Sequence, residues 1–329
     1  MPSAPPAVSS GTSSSTTATI PASSRNPNDF FNGLLELGQA LARLGVRVRI
    51  FGRGGGVAGI SDPEVRQAAV ATFTAELALD PDAVVNAVTR DGDAVAIRFM
   101  DGGVEKEERF DYLVAATGRR PNVDTLGLET TRLALDNRGA PAFDRFTMQC
   151  GDSHVFVAGD ANGDIPLLHE AADQGRIAGD NAGRWPDIRA GLRRSPLAVV
   201  FTDPNVASVG RSFAALSSAG ADFAIGAVDF GDQGRSRVML RSRGLLRVYA
   251  EHGTGLFLGA EMVGPRLEHI AHLLAWAHQA RMTVPDMLDM PFYHPVIEEG
   301  LRTALRDVQT RLHLGPPMVE RCLDCGPGA

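Results

Sequence analysis

The chain has 329 residues, of which 44% are hydrophobic and 22% are charged, and it carries a formal net charge of −7 at pH 7. A chain of this length exceeds what one compact core usually holds, so two domains are expected. The mildly acidic balance argues against a nucleic-acid partner, no apolar run is long enough to cross a membrane, and three cysteines exclude a disulfide-rich scaffold. We therefore expect a cytoplasmic protein.

The first predicted element is a disordered leader over residues 1–33. Its first 28 residues are rich in Ser, Thr, Ala and Pro and contain a single basic residue, Arg25. They have no apolar core, which excludes a secretory signal peptide. A segment of this composition buries too little apolar surface to offset the entropy lost on ordering, so we expect it to be unstructured.

Residues 34–150 show the mixture of helices and strands that is typical of an α/β domain. Apolar spacing predicts a helix over 34–44, with Leu34, Leu37, Leu41 and Leu44 on one stripe. A strand over 46–51 and a helix over 62–77 follow. Strands are then predicted over 83–89, 94–100, 104–110 and 112–116, the first three separated by Asp-Gly turns.

The second half of the chain predicts a different architecture. Residues 151–196 contain a short apolar strand at 155–158 and a helix that continues through Asn181. Residues 197–315 predict an α+β domain, with an antiparallel sheet followed by helices that begin at Glu268 and Val284. Its strands are expected near 198–201, 224–229, 244–250 and 256–262, and residues 316–329 are a tail.

The candidate catalytic feature is the segment 292–299, which reads Phe-Tyr-His-Pro-Val-Ile-Glu-Glu. Pro295 biases His294 toward an extended conformation, and Glu298 and Glu299 begin the next helix. A carboxylate that folds back onto the imidazole holds its tautomer and raises its basicity, an arrangement typical of histidines that transfer protons. The alternative is a solvated histidine before a helix start that favours acidic residues in any case.

Three further segments, taken with this one, resemble the flavoprotein disulfide reductases, and most of all their dihydrolipoamide dehydrogenase-like branch. They are Ala-Ala-Thr-Gly-Arg-Arg-Pro-Asn at 115–122, Val-Phe-Val-Ala-Gly-Asp at 155–160 with the helix entry at 166–175, and Phe-Thr-Asp-Pro-Asn-Val at 201–206. The resemblance runs from about residue 35 to about residue 314. It implies an NAD(P)-binding Rossmann-like α/β domain and an α+β interface domain that forms a homodimer.

The resemblance also implies an activity, which is hydride transfer between a nicotinamide nucleotide and FAD, coupled to dithiol–disulfide exchange with a disulfide or dithiol substrate. Within it, His294 matches the histidine that exchanges protons with the thiols of the partner subunit, and Glu299 matches the glutamate that orients it. Asp160 matches the residue whose carboxylate binds the ribityl chain of FAD. The residues expected near the isoalloxazine are Leu167, Leu168, His169 and Ala171.

The nicotinamide site implied by the resemblance is incomplete. Glu36 and Gly38 match the downstream half of the dinucleotide fingerprint, but Leu34 stands where its third glycine belongs and Gly33 is one position out of register. Residues 26–32 do not read as a strand. We therefore expect the NAD(P)-binding domain over 34–150 to lack its first strand.

The choice between NAD and NADP stays open in the sequence. Gly52 occupies the place at the end of the second strand where an acidic residue binds the ribose hydroxyls of NAD. Arg53 follows it, and it either accepts the extra phosphate of NADP or only solvates a glycine-rich loop. Gly118 resembles a family position near the bound nicotinamide nucleotide.

Departures from the family determine what this chain is expected to do alone. The FAD domain and the pair of redox cysteines separated by four residues are not in the sequence, whose cysteines are Cys150, Cys322 and Cys325. We expect a truncated oxidoreductase that is inactive by itself. The alternatives are a dimerisation or interaction protein without activity, and the C-terminal half of a split flavoenzyme whose FAD domain is a separate chain.

The remaining cysteines and histidines do not predict a metal site. Cys322 and Cys325 have the spacing of a reducible disulfide, of half a metal site or of a thiol relay, but also of tail cysteines without a role. Cys150 reads as an ordinary small residue. His269, His272 and His278 lie on one predicted helix without an acidic or thiol pattern around them, and they are expected at the surface or at an interface.

Overall fold

The computed structural model describes residues 16–21, 28–116, 118 and 120–314, with residues 16–21 and 28–32 described by their backbone alone. Its contacts divide the chain into two units. Unit 1 comprises residues up to 59 together with 70–119, and unit 2 comprises 60–69 together with the residues from 120 onward. The boundary at 119 lies before the domain end that the sequence predicted at residue 150.

Unit 1 is built on a parallel sheet with the order β3-β2-β1-β7. Its strands are β1 (Thr16–Pro21), β2 (Arg47–Phe51), β3 (Ala78–Asp80) and β7 (Tyr112–Ala116). Helix α1 (Asn28–Arg43) connects β1 to β2, and α2 (Pro63–Thr74) connects β2 to β3. Parallel strands joined by helices are the pattern of a doubly wound dinucleotide-binding domain.

The prediction of a disordered leader up to residue 33, and of a domain without its first strand, is wrong for the described residues. Thr17 pairs with Val48 of β2 on one side and with Tyr112 of β7 on the other, so β1 is a central strand. Its Thr-Thr-Ala-Thr-Ile sequence is rich in β-branched residues, which favour strands once neighbours supply pairing on both edges. Helix α1 also begins at Asn28 rather than at residue 34. Residues 1–15 and 22–27 lie outside the described part of the chain.

Helix α1 buries a different face from the predicted leucine stripe. Leu34, Leu35 and Gly38 are buried, whereas Leu37 is 48% exposed and Leu44 is 81% exposed. A Cβ on Gly38 would lie 2.7 Å from Cδ1 of Ile50 in β2. The close approach of α1 and β2 at this glycine determines which face of the helix is buried. The spacing of the leucines alone does not reveal this contact.

A three-stranded antiparallel meander follows in unit 1, with the predicted elements close to the observed ones. Its strands are β4 (Val84–Asp91), β5 (Ala94–Asp101) and β6 (Val104–Phe110). Phe51, Val95, Ile97, Phe99 and Phe110 form its apolar core. The rings of Phe51 and Phe99 meet edge to face at 4.9 Å, which joins the meander to β2.

Unit 2 contains a five-stranded antiparallel sheet with the order β10-β11-β12-β9-β8. The strands are β8 (Leu197–Val200), β9 (Asn205–Gly210), β10 (Phe223–Asp229), β11 (Leu245–Glu251) and β12 (Phe257–Gly264). The helices of this region are α4 (Phe213–Ser218), α5 (Gly234–Val238), α6 (Leu267–Gln279), α7 (Val284–Leu288) and α8 (Glu299–Arg311). The apolar faces of α6 and α8 share one core with the sheet, which agrees with the predicted α+β domain.

The segment before this sheet carries one correction. The predicted strand at 155–158 forms only an isolated bridge between Phe156 and Gln149. The bridge is flanked by two backbone hydrogen bonds, from the Cys150 N–H to the Val155 carbonyl and from the Val157 N–H to the Met148 carbonyl. A 3-10 turn (Gly159–Asn162) and helix α3 (Leu168–Arg184) follow. Together they form the part of unit 2 that carries the predicted flavin-binding residues.

Residues 60–69 belong to unit 2 because a buried polar network holds them there. Glu261 of β12 accepts hydrogen bonds from the backbone N–H groups of Ser61 and Asp62, at 2.7 and 3.0 Å. Asp62 accepts from Nη1 of Arg247 at 2.8 Å. The Tyr249 hydroxyl lies 3.0 Å from Asp62 and 3.1 Å from Glu261. The side chains of Asp62, Arg247, Tyr249 and Glu261 are all buried.

Candidate functional site

The His294–Glu299 pair is the best-defined candidate site of unit 2. His294 lies in the loop before α8, and Glu299 is the first residue of that helix. Nδ1 of His294 is 2.9 Å from Oε2 and 3.0 Å from Oε1 of Glu299. A proline between them keeps His294 out of the helix, which lets the helix start turn its carboxylate back onto the ring. The structure thus brings together the two residues that the sequence singled out as catalytic.

The electrostatics of the pair fix the tautomer of the imidazole. Because an ionised carboxylate can only accept, Nδ1 of His294 donates the hydrogen bond and Nε2 is left for another partner. The hydrogen bond from His294 holds the pKa of Glu299 below its usual value, and the Val296 N–H at 3.2 Å and Arg302 at 3.5 Å act in the same direction. Glu299 therefore stays ionised and orients the ring.

The surroundings leave the ring accessible. The His294 side chain is 80% exposed, whereas that of Glu299 is 19% exposed. Arg302 also lies 5.6 Å from the ring centroid of Phe292, which holds the guanidinium next to Glu299. Sequence reasoning missed Arg302, although its spacing of three residues from Glu299 on a predicted helix was a usable signal. An oriented imidazole with an open Nε2 can accept and return a proton.

The predicted flavin-binding residues lie together at the start of α3. Asp160 is exposed in its turn, and a Cβ on Gly159 would lie 3.2 Å from Cβ of Ala171. Leu167 is the N-cap residue of α3, Leu168 is 89% exposed and His169 is exposed. The turn and the first turn of the helix therefore present an open carboxylate beside an uncovered apolar side chain.

This arrangement fits the ribityl and ring portions of a flavin. The Oε1 atom of Gln174 accepts from the Gly159 N–H at 2.8 Å and from Nδ2 of Asn162 at 2.7 Å, which fixes the turn around Asp160. No described residue accepts from the buried Nε2 of Gln174. A carboxylate such as that of Asp160 can accept from sugar-alcohol hydroxyls. The residues present therefore fit the group that the family resemblance implies.

The predicted nicotinamide-binding residues lie in unit 1, and one of them, Gly38, has a packing role. Gly38 is the packing contact of α1 on β2, Glu36 is half-buried, and Gly33 has no atom within 4 Å of where its Cβ would be. Gly118 follows β7 with a φ of +99°. Arg53 is exposed in the loop after β2. Residues 22–32, which lie between the end of β1 and Gly33 of α1, contain no glycine, so the glycine turn of the fingerprint is not found there.

The remaining candidates that lie in the described part of the chain form no metal site. No group of three or more His, Cys, Asp or Glu side chains within the described ranges could hold a metal ion. Cys150 is buried, which raises the pKa of its thiol, and Cys322 and Cys325 lie outside the described residues. His269 and His272 are exposed on α6 as predicted. His278 is half-buried instead, with Nδ1 2.7 Å from the Ser195 hydroxyl, and burial lowers its pKa.

Comparison with known proteins places both halves of the chain in one family. The model for pyridine nucleotide-disulphide oxidoreductases matches residues 35–175, and the model for the dimerisation domain of these enzymes matches residues 197–305. A mercuric reductase of Acidithiobacillus ferrooxidans is 32% identical over 272 residues, which is 82% of this chain and 48% of the relative. A dihydrolipoyl dehydrogenase of Geobacillus stearothermophilus is 30% identical over 287 residues, which is 85% of this chain and 59% of the relative.

Solved structures share the fold. LpdA from Mycobacterium tuberculosis aligns with a TM-score of 0.72 and 22% identity, covering 89% of this chain and 61% of that one. The HOCl-induced flavoprotein disulfide reductase RclA from Escherichia coli aligns with a TM-score of 0.72 and 19% identity, covering 90% of this chain and 64% of that one. The chain spans about half the length of the curated relatives it matches.

Across the described ranges, none of the helices combines the length and apolar character that crossing a bilayer requires. The two family matches agree with the parallel sheet of unit 1 and the antiparallel sheet of unit 2. The chain therefore belongs to the pyridine nucleotide-disulphide oxidoreductases, a family of FAD- and NAD(P)-dependent enzymes.

Proposed function

We propose that the protein acts in a dihydrolipoyl dehydrogenase-like reaction, in which a nicotinamide nucleotide and FAD exchange a hydride and a dithiol or disulfide substrate exchanges electrons with the flavin. The observation that carries the proposal is the pair of hydrogen bonds between His294 and Glu299, at 2.9 and 3.0 Å, with the rest of the ring exposed. We further propose that this reaction takes place in the cytoplasm.

His294 contributes an acid–base step at its Nε2 atom. In the oxidising direction Nε2 takes the proton of a substrate thiol, and the thiolate formed attacks a disulfide sulfur and displaces the second sulfur as a thiolate. In the reverse direction the imidazolium returns the proton to the thiolate. Glu299 keeps its charge throughout and stabilises the imidazolium, so it is a positioning residue for His294.

FAD, when bound, supplies the two-electron chemistry that no side chain can provide. Asp160 would bind its ribityl hydroxyls, and Leu167, Leu168, His169 and Ala171 would line its ring. Glu36, Gly38 and Gly118 of unit 1 are residues that the family resemblance assigns to the nicotinamide nucleotide. Since the printed sequence lacks the redox pair, the cysteines that exchange with substrate have to come from elsewhere.

A homodimer is part of this proposal, because in the resembling family the histidine serves the partner subunit. The match of residues 197–305 to a dimerisation domain supports it. On α6, Ile270 and Leu274 are buried, whereas Leu273 is 44% exposed and Trp276 is 71% exposed. A large exposed tryptophan beside a leucine is the kind of anchor that interfaces between copies use.

The second candidate is a dimerisation or interaction protein without redox activity. It is favoured by one observation, which is that no two of the three cysteines are separated by four residues. A split enzyme, in which a separate chain supplies the FAD domain and the redox pair, reconciles this observation with the intact His294–Glu299 pair. These possibilities make different predictions for the purified protein.

The test is flavin absorbance and NADH-dependent lipoamide reduction by the protein purified from its native cells, with any copurifying chain retained. We expect a flavin spectrum and turnover in the wild type. His294→Gln should lower kcat at least about 100-fold with unchanged flavin content, because general acid–base catalysis contributes factors of that size. Glu299→Gln should lower kcat less and should shift its pH profile.

The matched control is His313→Gln, which removes an exposed histidine outside α6 whose ring stacks on that of His252 at 4.8 Å between centroids. It should leave turnover unchanged. Full turnover in His294→Gln would contradict the proposed role of the histidine. A preparation without flavin, without turnover and without a copurifying flavoprotein would favour the interaction protein instead.

A further inference from the structure

The loop that follows β2 is joined by hydrogen bonds to the turn between β3 and β4. The Gly52 N–H donates to the Asp80 carbonyl at 2.5 Å, and the Gly55 N–H donates to the Pro81 carbonyl at 3.0 Å. The Gly54 N–H donates to Oδ1 of Asp82 at 2.8 Å. These contacts hold the exposed Asp82 carboxylate beside the carboxyl end of β2, all within unit 1.

This position matters because open α/β sheets bind their ligands beyond the carboxyl ends of the strands. In dinucleotide-binding domains an acidic residue at the end of the second strand accepts hydrogen bonds from the adenosine ribose. Gly52 cannot carry such a side chain, since its Cβ would lie 2.7 Å from the Pro81 carbonyl oxygen. The Asp82 carboxylate reaches the same edge of the sheet from the neighbouring turn.

The donors and acceptors of this loop suit a ribose with free hydroxyls. The N–H groups of Gly54 and Gly55 already donate to the chain's own oxygens, so they are not available to a phosphate. Asp82 uses Oδ1, and no contact to its Oδ2 is formed by the described residues. A second carboxylate, that of Asp80, accepts from the Asp82 N–H at 3.1 Å. Against these two negative charges, Arg53 is the single cation of residues 52–56.

We infer that Asp82 is the residue that selects the nucleotide, and that it favours a nucleotide with a free 2′-hydroxyl, as in NAD, over one with a 2′-phosphate, as in NADP. Its carboxylate accepts from the ribose hydroxyls and repels a phosphate dianion. Arg53 therefore solvates the loop and does not bind a phosphate. The inference rests on the proposed use of a nicotinamide nucleotide by the protein.

The experiment measures binding, by calorimetry, of NADH, NADPH, ADP and 2′,5′-ADP to the protein as purified. We expect NADH and ADP to bind at least about tenfold more tightly than their 2′-phosphorylated counterparts, because like charges placed against each other are strongly unfavourable. Asp82→Asn keeps an oxygen acceptor for the Gly54 N–H and removes the charge. It should bring each ratio close to one.

Two controls separate selectivity from general effects. Asp93→Asn removes an exposed charge from the turn between β4 and β5 and should leave the ratios unchanged. Arg53→Gln should also keep the preference for NADH. The amide signals of Gly54 and Gly55 should shift when ADP is added, which reports binding at this loop without any need for turnover.

Tighter binding of NADPH in the wild type, an unchanged ratio in Asp82→Asn, or no binding of any of the four nucleotides at millimolar concentration would each overturn the inference. The proposed function fails in a different way, since it depends on the loss of lipoamide turnover in His294→Gln. A protein that binds both nucleotides equally and still loses turnover in that variant would retain the proposed function and refute the role of Asp82.

Discussion

Glu261 accepts hydrogen bonds from both the backbone N–H and the hydroxyl of Ser61, at 2.7 and 3.0 Å, although the two residues are 200 positions apart in the chain. The carboxylate also accepts from the N–H groups of Asp62 and Phe213, at 3.0 and 3.1 Å. Each of these donors would otherwise be a partly or fully buried polar group without a partner, which is costly. The start of α2 is therefore fixed to β12 by a single side chain.

Replacing this carboxylate tests the network. Glu261→Gln places an amide N–H₂ opposite backbone N–H donors, so at least one donor loses its acceptor. We expect the free energy of unfolding to fall by about 2–4 kcal/mol, the range for a broken buried network that includes a charge. Urea denaturation followed by far-UV circular dichroism measures it. Glu129→Gln is the matched control, because Glu129 is exposed in the 3-10 turn Leu128–Thr130, outside the network; a similar loss there would contradict the network's role.

Tyr249 in the same network should not ionise in the folded protein. Burial, followed by the charges of Glu261 and Asp62, raises the pKa of its hydroxyl far above the ordinary value. Because the folded state holds this proton more tightly than the unfolded state does, the stability is fully present at pH values below the unfolded-state pKa of about 10. It is lost as the pH rises above that value toward the folded-state pKa. Absorbance titration of the wild type and Tyr249→Phe should therefore give the same phenolate signal below about pH 11. A larger signal in the wild type would refute the prediction.

Two glycines of α1 should respond oppositely to substitution by alanine. A Cβ on Gly38 would lie 2.7 Å from Cδ1 of Ile50, whereas a Cβ on Gly33 would meet nothing within 4 Å. Gly33→Ala should therefore raise the free energy of unfolding by about 0.5–1 kcal/mol through helix propensity. Gly38→Ala should lower it by about 1–3 kcal/mol, because the extra methyl overpacks the helix against β2. Equal effects of the two changes would contradict the packing.

The proposed dimer should depend on the exposed face of α6. Trp276→Glu replaces an aromatic side chain that is 71% exposed by a charged one. It should weaken the affinity between two copies at least about 30-fold, the effect of losing one interface anchor. Sedimentation across a concentration series measures the change. Leu126→Glu is the control, since Leu126 is also exposed in unit 2, at 64%, but lies far from this helix in the sequence. A wild-type protein that is monomeric at every concentration would remove the basis of the prediction.

The sequence allowed the His294–Glu299 pair to be predicted because both its determinants are local. A proline after the histidine and a helix start four residues later fix the geometry within one short segment. The same holds for the strands of the meander, where Asp-Gly turns mark both hairpins. Such features need no knowledge of distant parts of the chain.

Features that depend on distant partners could not be predicted in this way. The strand β1 is stabilised by pairing with β2 and β7, whose residues lie far along the chain, so its own composition reads as disorder. The buried face of α1 is determined by its contact with Ile50 of β2. The role proposed for Asp82 depends on a hydrogen bond between the turn after β3 and the loop after β2. In each case tertiary contact overrides local pattern.

The central place of β1 has a consequence for handling the protein. Thr17 pairs with Val48 and with Tyr112, so removal of residues 1–21 would leave a gap in the middle of the parallel sheet rather than a shortened end. The strands on both sides would then present unpaired N–H and C=O groups, which are templates for pairing with other molecules. Removal of this strand would therefore promote aggregation.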